Sequence, residues 1–365
     1  MGFKDPYEYL RWKYSYLNSK KKEKMSLNVY FEKAKAIYGD KQKELYESDK
    51  ILFTKLEEMA SHLDLPIEEQ DENTYWLLNR HASNVEKILK DNNLSIPNKI
   101  VLGTLPTNDS NASVCTFPNR DMLVVLNDGL IHFIYSFGRI ISAFFSKKDD
   151  SSDKNKMIFD FDKKRIRENL KNNKEANSKF IEALVLYFAN RDLTLSNIYF
   201  EKDENIDLSG ILWDNAELFV VAHEYSHIIL DHLSPNQVFS KRFSYDDSML
   251  YEVIRSWNEE SAADELALKI VLAHNKSEGN GFFAGYLGIE LLFVCFDILE
   301  KAYNLEFSET HPLANLRIHN LRKCLKDILP EQYETILDGS KIIEEIGLNL
   351  WSVNKKIIYD LCNKL

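Results

Sequence analysis

The sequence predicts an α+β fold that is mostly α-helical, and two observations lead to this prediction. Of the 365 residues, 44% are hydrophobic and 12% are aromatic, which is typical of a folded chain long enough to bury a sizeable core. Apolar residues recur at helical spacing in many segments, whereas residues 98–129 consist of short apolar runs broken by turn residues. A small β-sheet among many helices is therefore expected.

The chain divides into three predicted regions. Residues 1–95 are charged, are rich in Tyr and Lys, and have helical periodicity. Residues 96–330 are expected to form the core domain, with an insert at about 142–212 that contains the charged segment SKKDDSSDKNK. Residues 331–365 are expected to form a helical C-terminal extension.

The predicted strands lie at the start of the core domain. The segments NKIVLGTLPT and NASVCTFPNRDMLVVLNDG each contain apolar runs of strand length. Pro106–Asn111 and Pro118–Arg120 supply the turns between the strands.

Helices are predicted for the rest of the core domain. GLIHFIYSFGRIISAFF and EANSKFIEALVLYFANRD are apolar enough to be packed helices. The polar segment SNIYFEKDENIDLSG leads into AELFVVAHEYSHIILDHL, Ala216–Leu233, which predicts a helix buried on most sides. SYDDSMLYEVIRSWNEESAADELALKIVLAHN predicts one long helix.

Charge and cysteine usage narrow the partners and the compartment. The net charge of −11 argues against a nucleic-acid partner, because a phosphate backbone would be repelled. The N-terminus has no apolar signal region, and the four cysteines are scattered without a CxxC pair, so a reducing compartment, the cytoplasm, is expected. These cysteines are Cys115, Cys295, Cys324 and Cys362.

The segment from Gly281 to Tyr303 approaches the length that crosses a membrane. Glu290 and Asp297 interrupt its apolar run, and a carboxylate near the centre of a bilayer is costly. We therefore expect a buried core helix and no membrane insertion, with a membrane helix as the alternative.

The most informative segment is HEYSHIIL, in which His223 and His227 lie four residues apart. At that spacing both imidazoles project from one face of a helix and can bind one zinc ion. Glu224 lies beside them as a carboxylate general base for a nucleophilic water, the arrangement of an HExxH motif. The alternative is a pair of core histidines with ordinary partners, but burying these groups without a ligand would be expensive.

A catalytic zinc site needs a third protein ligand, and NEESAADELAL offers Glu260. Leu230 and Leu233 occupy the positions where a metzincin would have Gly and His. Asp264 lies four residues after Glu260 and can accept a hydrogen bond from a ligand histidine. Glu259 has the wrong spacing to Asp264 for the same face. An ordinary acidic helix surface is the alternative.

HExxH followed by ExxAD is the signature of gluzincin metallopeptidases, and this chain resembles the branch that contains the CAAX prenyl proteases, HtpX and BepA. Glu217, Leu218 and His232 flank the motif as in that family. The segments NASVCTFPNRDMLVVLNDGLI and THPLANLRIHNL resemble further family motifs. The resemblance implies a zincin-like core with one zinc ion, acting on a protein or peptide substrate.

The resemblance also implies roles for two further residues. His311 is expected to face the active site as the donor that stabilises the oxyanion, with Arg317 as its support. Glu224, His311 and Arg317 are thus the candidate catalytic residues, although His311 before Pro312 could simply start a helix. The strand DMLVVL is the candidate edge for adding an extended substrate, or it is a plain core strand.

Two departures from that branch point to another family. The interval between Gly129 and His223 is far longer than in that branch, and its membrane helices are missing. A looser resemblance, carried by HEYSHIIL, is to the Lit-type phage-exclusion peptidases, which are cytoplasmic HExxH proteins that cut a translation factor.

The sequence therefore favours a zinc-dependent endopeptidase. One alternative is a Lit-type toxin or phage-defence protease with a single host target. Another is a catalytically silent zinc-binding regulatory module, against which the intact Glu224 argues. A zinc-stabilised structural protein is disfavoured, because structural sites usually have four Cys or His ligands.

Overall fold

The computed structural model describes residues 3–18, 64–148, 158–190, 205–233, 257–303 and 312–362. These residues are mostly helical with a small sheet, which confirms the predicted α+β class. The helices are α1 (Pro6–Asn18), α2 (Glu72–Asp91), α3 (Asp128–Ser142), α4 (Lys163–Asn172), α5 (Lys174–Asn190), α6 (Ile206–Ile229), α7 (Trp257–Ser277), α8 (Gly281–Ala302), α9 (Ala314–Ile328) and α10 (Tyr333–Cys362). The strands are β1 (Ile100–Leu105), β2 (Ala112–Thr116), β3 (Met122–Asn127), β4 (Ser146–Lys148) and β5 (Ile158–Asp160).

The main sheet has three strands in the order β1-β3-β2. Strand β3 pairs in parallel with β1 and antiparallel with β2, so that Val124 lies between Leu102 and Val114. The prediction that DMLVVL forms a substrate-binding edge is therefore wrong, because both hydrogen-bonding sides of this strand are already paired.

Both faces of the sheet are covered. Val124 and Leu126 contact the core formed with α2 and α6. On the other face, Leu123 packs with Leu10 and Tyr14 of α1. Burial on both faces explains why β3 is an almost continuous apolar run rather than an alternating one.

Helix α6 is the centre of the helical part, in contact with α2, α3, α7 and α8. It begins at Ile206, ten residues before Ala216, where the sequence places the start of the buried helix. Leu208 and Leu212 are buried four residues apart, so these apolar positions continue the helix through a polar segment. For the predicted helix over 244–275, α7 begins at Trp257 and residues 244–256 lie outside the described ranges.

The region predicted as an insert contains β4, β5, α4 and α5, and α6 begins within it. Helices α4 and α5, the start of α6 and Phe159 of β5 share a second core with α3, α8 and α10, in which Phe137, Phe180 and Ile343 are fully buried. Helix α10 thus packs against both α8 and the insert.

By length and composition alone, helix α8 could cross a membrane. However, 72% of its most apolar 18-residue stretch is buried inside the protein. Glu290, near its centre, is fully buried and accepts hydrogen bonds from Arg322 of α9. Its backbone approaches α6 closely at Gly288, where a Cβ atom would lie 2.7 Å from the Leu212 carbonyl oxygen.

Candidate metal centre

Two packed helices bring three potential ligands together. Helix α6 carries His223 and His227, and the first turn of α7 carries Glu260. One nitrogen or oxygen atom of each side chain lies within 4.8 Å of the others, and all three side chains are buried. A buried set of two imidazoles and a carboxylate is a zinc-type donor set.

The separations between these donor atoms suit a tetrahedral ion. His223 Nε2 lies 3.1 Å from His227 Nε2 and 3.4 Å from Glu260 Oε2, and His227 Nε2 lies 3.5 Å from Glu260 Oε1. Ligands about 2.0–2.1 Å from a tetrahedral zinc ion are roughly 3.3 Å apart. The spacing of the two ring nitrogens, and of each nitrogen from one Glu260 oxygen, is therefore close to what one zinc ion requires.

Asp264 and Arg317 form the outer contacts of His223. Asp264 Oδ1 lies 2.9 Å from His223 Nδ1, and Arg317 donates two hydrogen bonds to Asp264, at 2.8 and 2.6 Å. The Arg317 guanidinium also lies 3.9 Å from Glu260 and over the Phe293 ring. Arg317 is thus held behind the ligands, through partners far away in the sequence.

The pKa values of these groups follow from their contacts. Burial disfavours the charged forms of all three, but the opposite charges outweigh it. The pKa of His223 is raised to about 9, because the carboxylates of Asp264 and Glu260 lie close to its two ring nitrogens. Arg317 and His223 lower the pKa of Asp264, and Asp264 raises the pKa of Arg317.

Glu224 is the buried carboxylate next to His223 on α6, and its charge acts on Arg317. The buried carboxylates Glu224, Glu260 and Asp264 and the Arg317 guanidinium thus lie in or beside the ligand cluster. Carboxylate and imidazole donors together suit a divalent cation such as zinc.

His311 lies outside the described residues. Helix α9, which carries Arg317, begins two residues after Pro312 with no side-chain cap from Leu313. Its first N–H group, at Ala314, donates instead to both carboxylate oxygens of Glu300 on α8, each 3.0 Å away. Glu300 was not identified from the sequence. The only sign that α9 needs such a partner was a helix start without a capping residue.

Helix α2 holds the opposite side of α6. Tyr225 donates a hydrogen bond of 2.7 Å to Glu86. His81 Nε2 lies 3.0 Å from Glu217 Oε2, and both side chains are buried. Glu217, which the sequence singled out by resemblance, therefore anchors the HExxH helix to α2.

Comparison with known proteins identifies the family. A family model described as Peptidase U49 matches residues 132–333, more than half of the chain. The matched region contains His223, Glu224, His227, Glu260 and Arg317. No significant match is found among curated proteins or solved structures. The chain belongs to the Peptidase U49 family, the Lit-like peptidases.

Proposed function

We propose that this peptidase is a zinc-dependent endopeptidase. The observation that carries the proposal is the buried set of His223, His227 and Glu260, with Glu224 next to it on the same helix. The described residues offer three protein ligands rather than four, which leaves a position for water or substrate, as in catalytic zinc sites. A general base beside that position has a use only in an enzyme.

Each side chain has a proposed task. When bound, zinc would supply a Lewis acid that acidifies water and polarises the scissile carbonyl. Glu224 takes a proton from the attacking water and passes it to the leaving amine. Asp264 holds His223 in the orientation that points Nε2 at the ligand cluster.

Arg317 and His311 belong to the proposal in different ways. The contacts of Arg317 with Asp264 and Glu260 support a role in fixing the ligands. Its expected support of His311 stays a prediction, because His311 lies outside the described residues. His311 stays the candidate oxyanion donor through the family resemblance. Glu300 fixes the start of the helix that follows His311, and thereby also positions Arg317.

We further propose that the core is zincin-like, of the gluzincin type. A small sheet packs beside the HExxH helix, and the third ligand comes from the next helix. The expected core, residues 96–330, covers the sheet, the site and the insert. The CAAX protease and HtpX resemblance enters this proposal through the shared motifs only.

The family match favours the Lit-like alternative for the substrate. The resemblance to Lit-type peptidases implies a cytoplasmic defence protease with one host protein as its target, and this chain belongs to the family of Lit-like peptidases. We therefore propose one protein target rather than general degradation. Comparing the new N-termini in cells that express wild type or Glu224→Gln tests this. We expect one cleavage site, in one protein, that appears only with the wild type. Many sites in unrelated proteins would contradict the proposal of a single target.

The catalytic role of Glu224 is tested with the same variant in purified form. Glu224→Gln keeps the shape of the side chain but removes the base. We expect it to retain zinc while cleavage falls by about 10²–10⁴-fold. Glu86→Gln is the matched control, because Glu86 lies on α2 and contacts the other side of α6. Wild-type cleavage by Glu224→Gln would refute the proposed mechanism.

A further inference from the structure

The end of the HExxH helix has a defined geometry. After the C-cap residue Leu230, Asp231 adopts a left-handed conformation with φ of 54°. The Asp231 N–H donates to the Ile228 carbonyl at 3.2 Å, and the His232 N–H donates to the His227 carbonyl at 3.0 Å. These two bonds define a Schellman motif, which folds the second residue after the cap back over the last turn.

The motif brings a second histidine onto a candidate ligand. Residues in these two positions usually make a hydrophobic contact. Here they are His227 and His232, whose Nδ1 atoms lie 2.8 Å apart with ring centroids 5.0 Å apart. The backbone of the helix end therefore places a polar ring at hydrogen-bonding distance from the nitrogen of His227 that faces away from the cluster.

The direction of this hydrogen bond follows from the ligand geometry. His227 Nε2 faces His223 and Glu260, so it must offer its lone pair if it binds an ion. A neutral imidazole then carries its proton on Nδ1. Since two N–H groups would repel each other, His232 Nδ1 must be the acceptor, and the proton of His232 lies on Nε2.

We propose that His232 is a positioning residue that holds His227 as an Nε2 ligand of the metal. This inference rests on the proposed function, because it requires a zinc ion at the cluster. Outer partners of this kind fix the tautomer and the ring orientation of a ligand histidine. In this site the two ligand histidines have different partners, a carboxylate for His223 and a neutral imidazole for His227.

The unequal partners suit the charge of the site. The cluster already contains the buried carboxylates Glu224, Glu260 and Asp264. A carboxylate behind His227 would add a further buried negative charge, whereas the ring of His232 orients His227 without adding charge. His232 thus supplies geometry, and Asp264 supplies geometry together with charge.

Zinc affinity of two His232 variants tests the proposal. His232→Leu fills the space but cannot accept a hydrogen bond, and we expect it to bind zinc about 10–100-fold more weakly than wild type. His232→Asn places an acceptor oxygen where Nδ1 was, so its affinity should stay close to that of wild type. Asp231→Gly, which suits the left-handed conformation, is the control for the backbone of the helix end. Competition with a chelator of known affinity measures the zinc affinity of the wild type and of the three variants.

A nitrogen NMR spectrum of the zinc-loaded wild type gives an independent readout that requires no variant to fold. We expect a proton on Nδ1 of His227 and a bare Nδ1 on His232. Wild-type zinc affinity of His232→Leu, or a proton on Nδ1 of His232, would overturn the role of His232 alone. If the wild type binds no zinc, the proposed metal site itself fails.

Discussion

In this site, Arg317 acts on the proposed ligand His223 through Asp264. Arg317 holds Asp264 with two hydrogen bonds, and Asp264 in turn holds the outer nitrogen of His223. Because Asp264 is buried, its charge needs Arg317 as a partner. The orientation of the proposed ligand His223 thus depends on Arg317, which lies 53 residues after Asp264 in the sequence.

Replacing Asp264 should weaken zinc binding while the ligands remain. Asp264→Asn keeps the size of the side chain but removes the charge that faces both His223 and Arg317. We expect zinc affinity to fall about 10–100-fold, measured by chelator competition. Glu265→Gln is the matched control, because the neighbouring Glu265 pairs only with Lys269 in the described structure and lies at the surface. Equal affinities of the two variants would contradict this role.

Zinc binding should also depend on pH. In the metal-free protein, burial opposes the charged form of His223, but the contacts with Asp264 and Glu260 raise its pKa to about 9. The protonated ring stabilises the metal-free fold fully below about pH 6.5, and this contribution is lost as the pH rises through about 9.

Zinc must displace that proton, so its affinity should increase about tenfold per pH unit between about pH 7 and about pH 9. Calorimetry in buffers of different ionisation enthalpy would count the proton released. An affinity that does not change over this interval, with no proton released, would show that His223 is neutral before zinc binds.

At the scale of elements, the HExxH helix is positioned by its neighbours. Gly288 allows α8 to lie against the backbone of α6, since a Cβ atom would lie 2.9 Å from the Ala216 nitrogen and 2.7 Å from the Leu212 oxygen. Backbone atoms cannot move aside as a flexible side chain can. We therefore expect the packing of α8 to be sensitive to a single methyl group.

Gly288→Ala should destabilise the protein by about 1–3 kcal/mol, because it overpacks this contact. Gly210→Ala is the control, since Gly210 lies in α6 where a Cβ atom meets nothing within 4 Å. That control should gain about 0.5–1 kcal/mol from helix propensity. Urea unfolding measures both changes, and a Gly288→Ala variant as stable as wild type would exclude the close packing.

The start of α9 depends on Glu300 in the same way. Glu300→Ala removes both acceptors of the Ala314 N–H and should cost about 0.5–2 kcal/mol, the usual effect of losing a cap. Glu300→Gln retains one acceptor oxygen and should lose less. Urea unfolding of the two variants gives the comparison, and equal stabilities would show that the carboxylate does not cap the helix.

The elements were largely predictable from the sequence, because apolar spacing and turn residues are local signals. The strands and the HExxH helix follow from such signals. The placement of Glu260 and Asp264 on one face of a helix follows from their spacing of four residues. The contacts that complete the site join distant segments, as in Arg317 with Asp264 and Glu300 with Ala314. The central place of β3 also depends on pairing, which an apolar run alone does not determine.

In the whole molecule, the family match covers only some of the elements of the fold. The match begins at residue 132, after the main sheet, and ends at residue 333, the first residue of α10. It therefore covers α6, α7 and α9, which carry the candidate site. The sheet packs on α6 from one side, and α10 packs on α8 from another. These outer elements complete the cores around helices that the family shares.

The proposed function depends on one zinc ion held by His223, His227 and Glu260. The most direct measurement is the zinc content of the purified protein and of two variants. We expect about one ion per chain in the wild type, much less in His223→Ala, and the wild-type content in Glu259→Ala, a change in the residue next to Glu260. If His223→Ala carries as much zinc as the wild type, His223 is not a ligand and the proposed metal site is wrong.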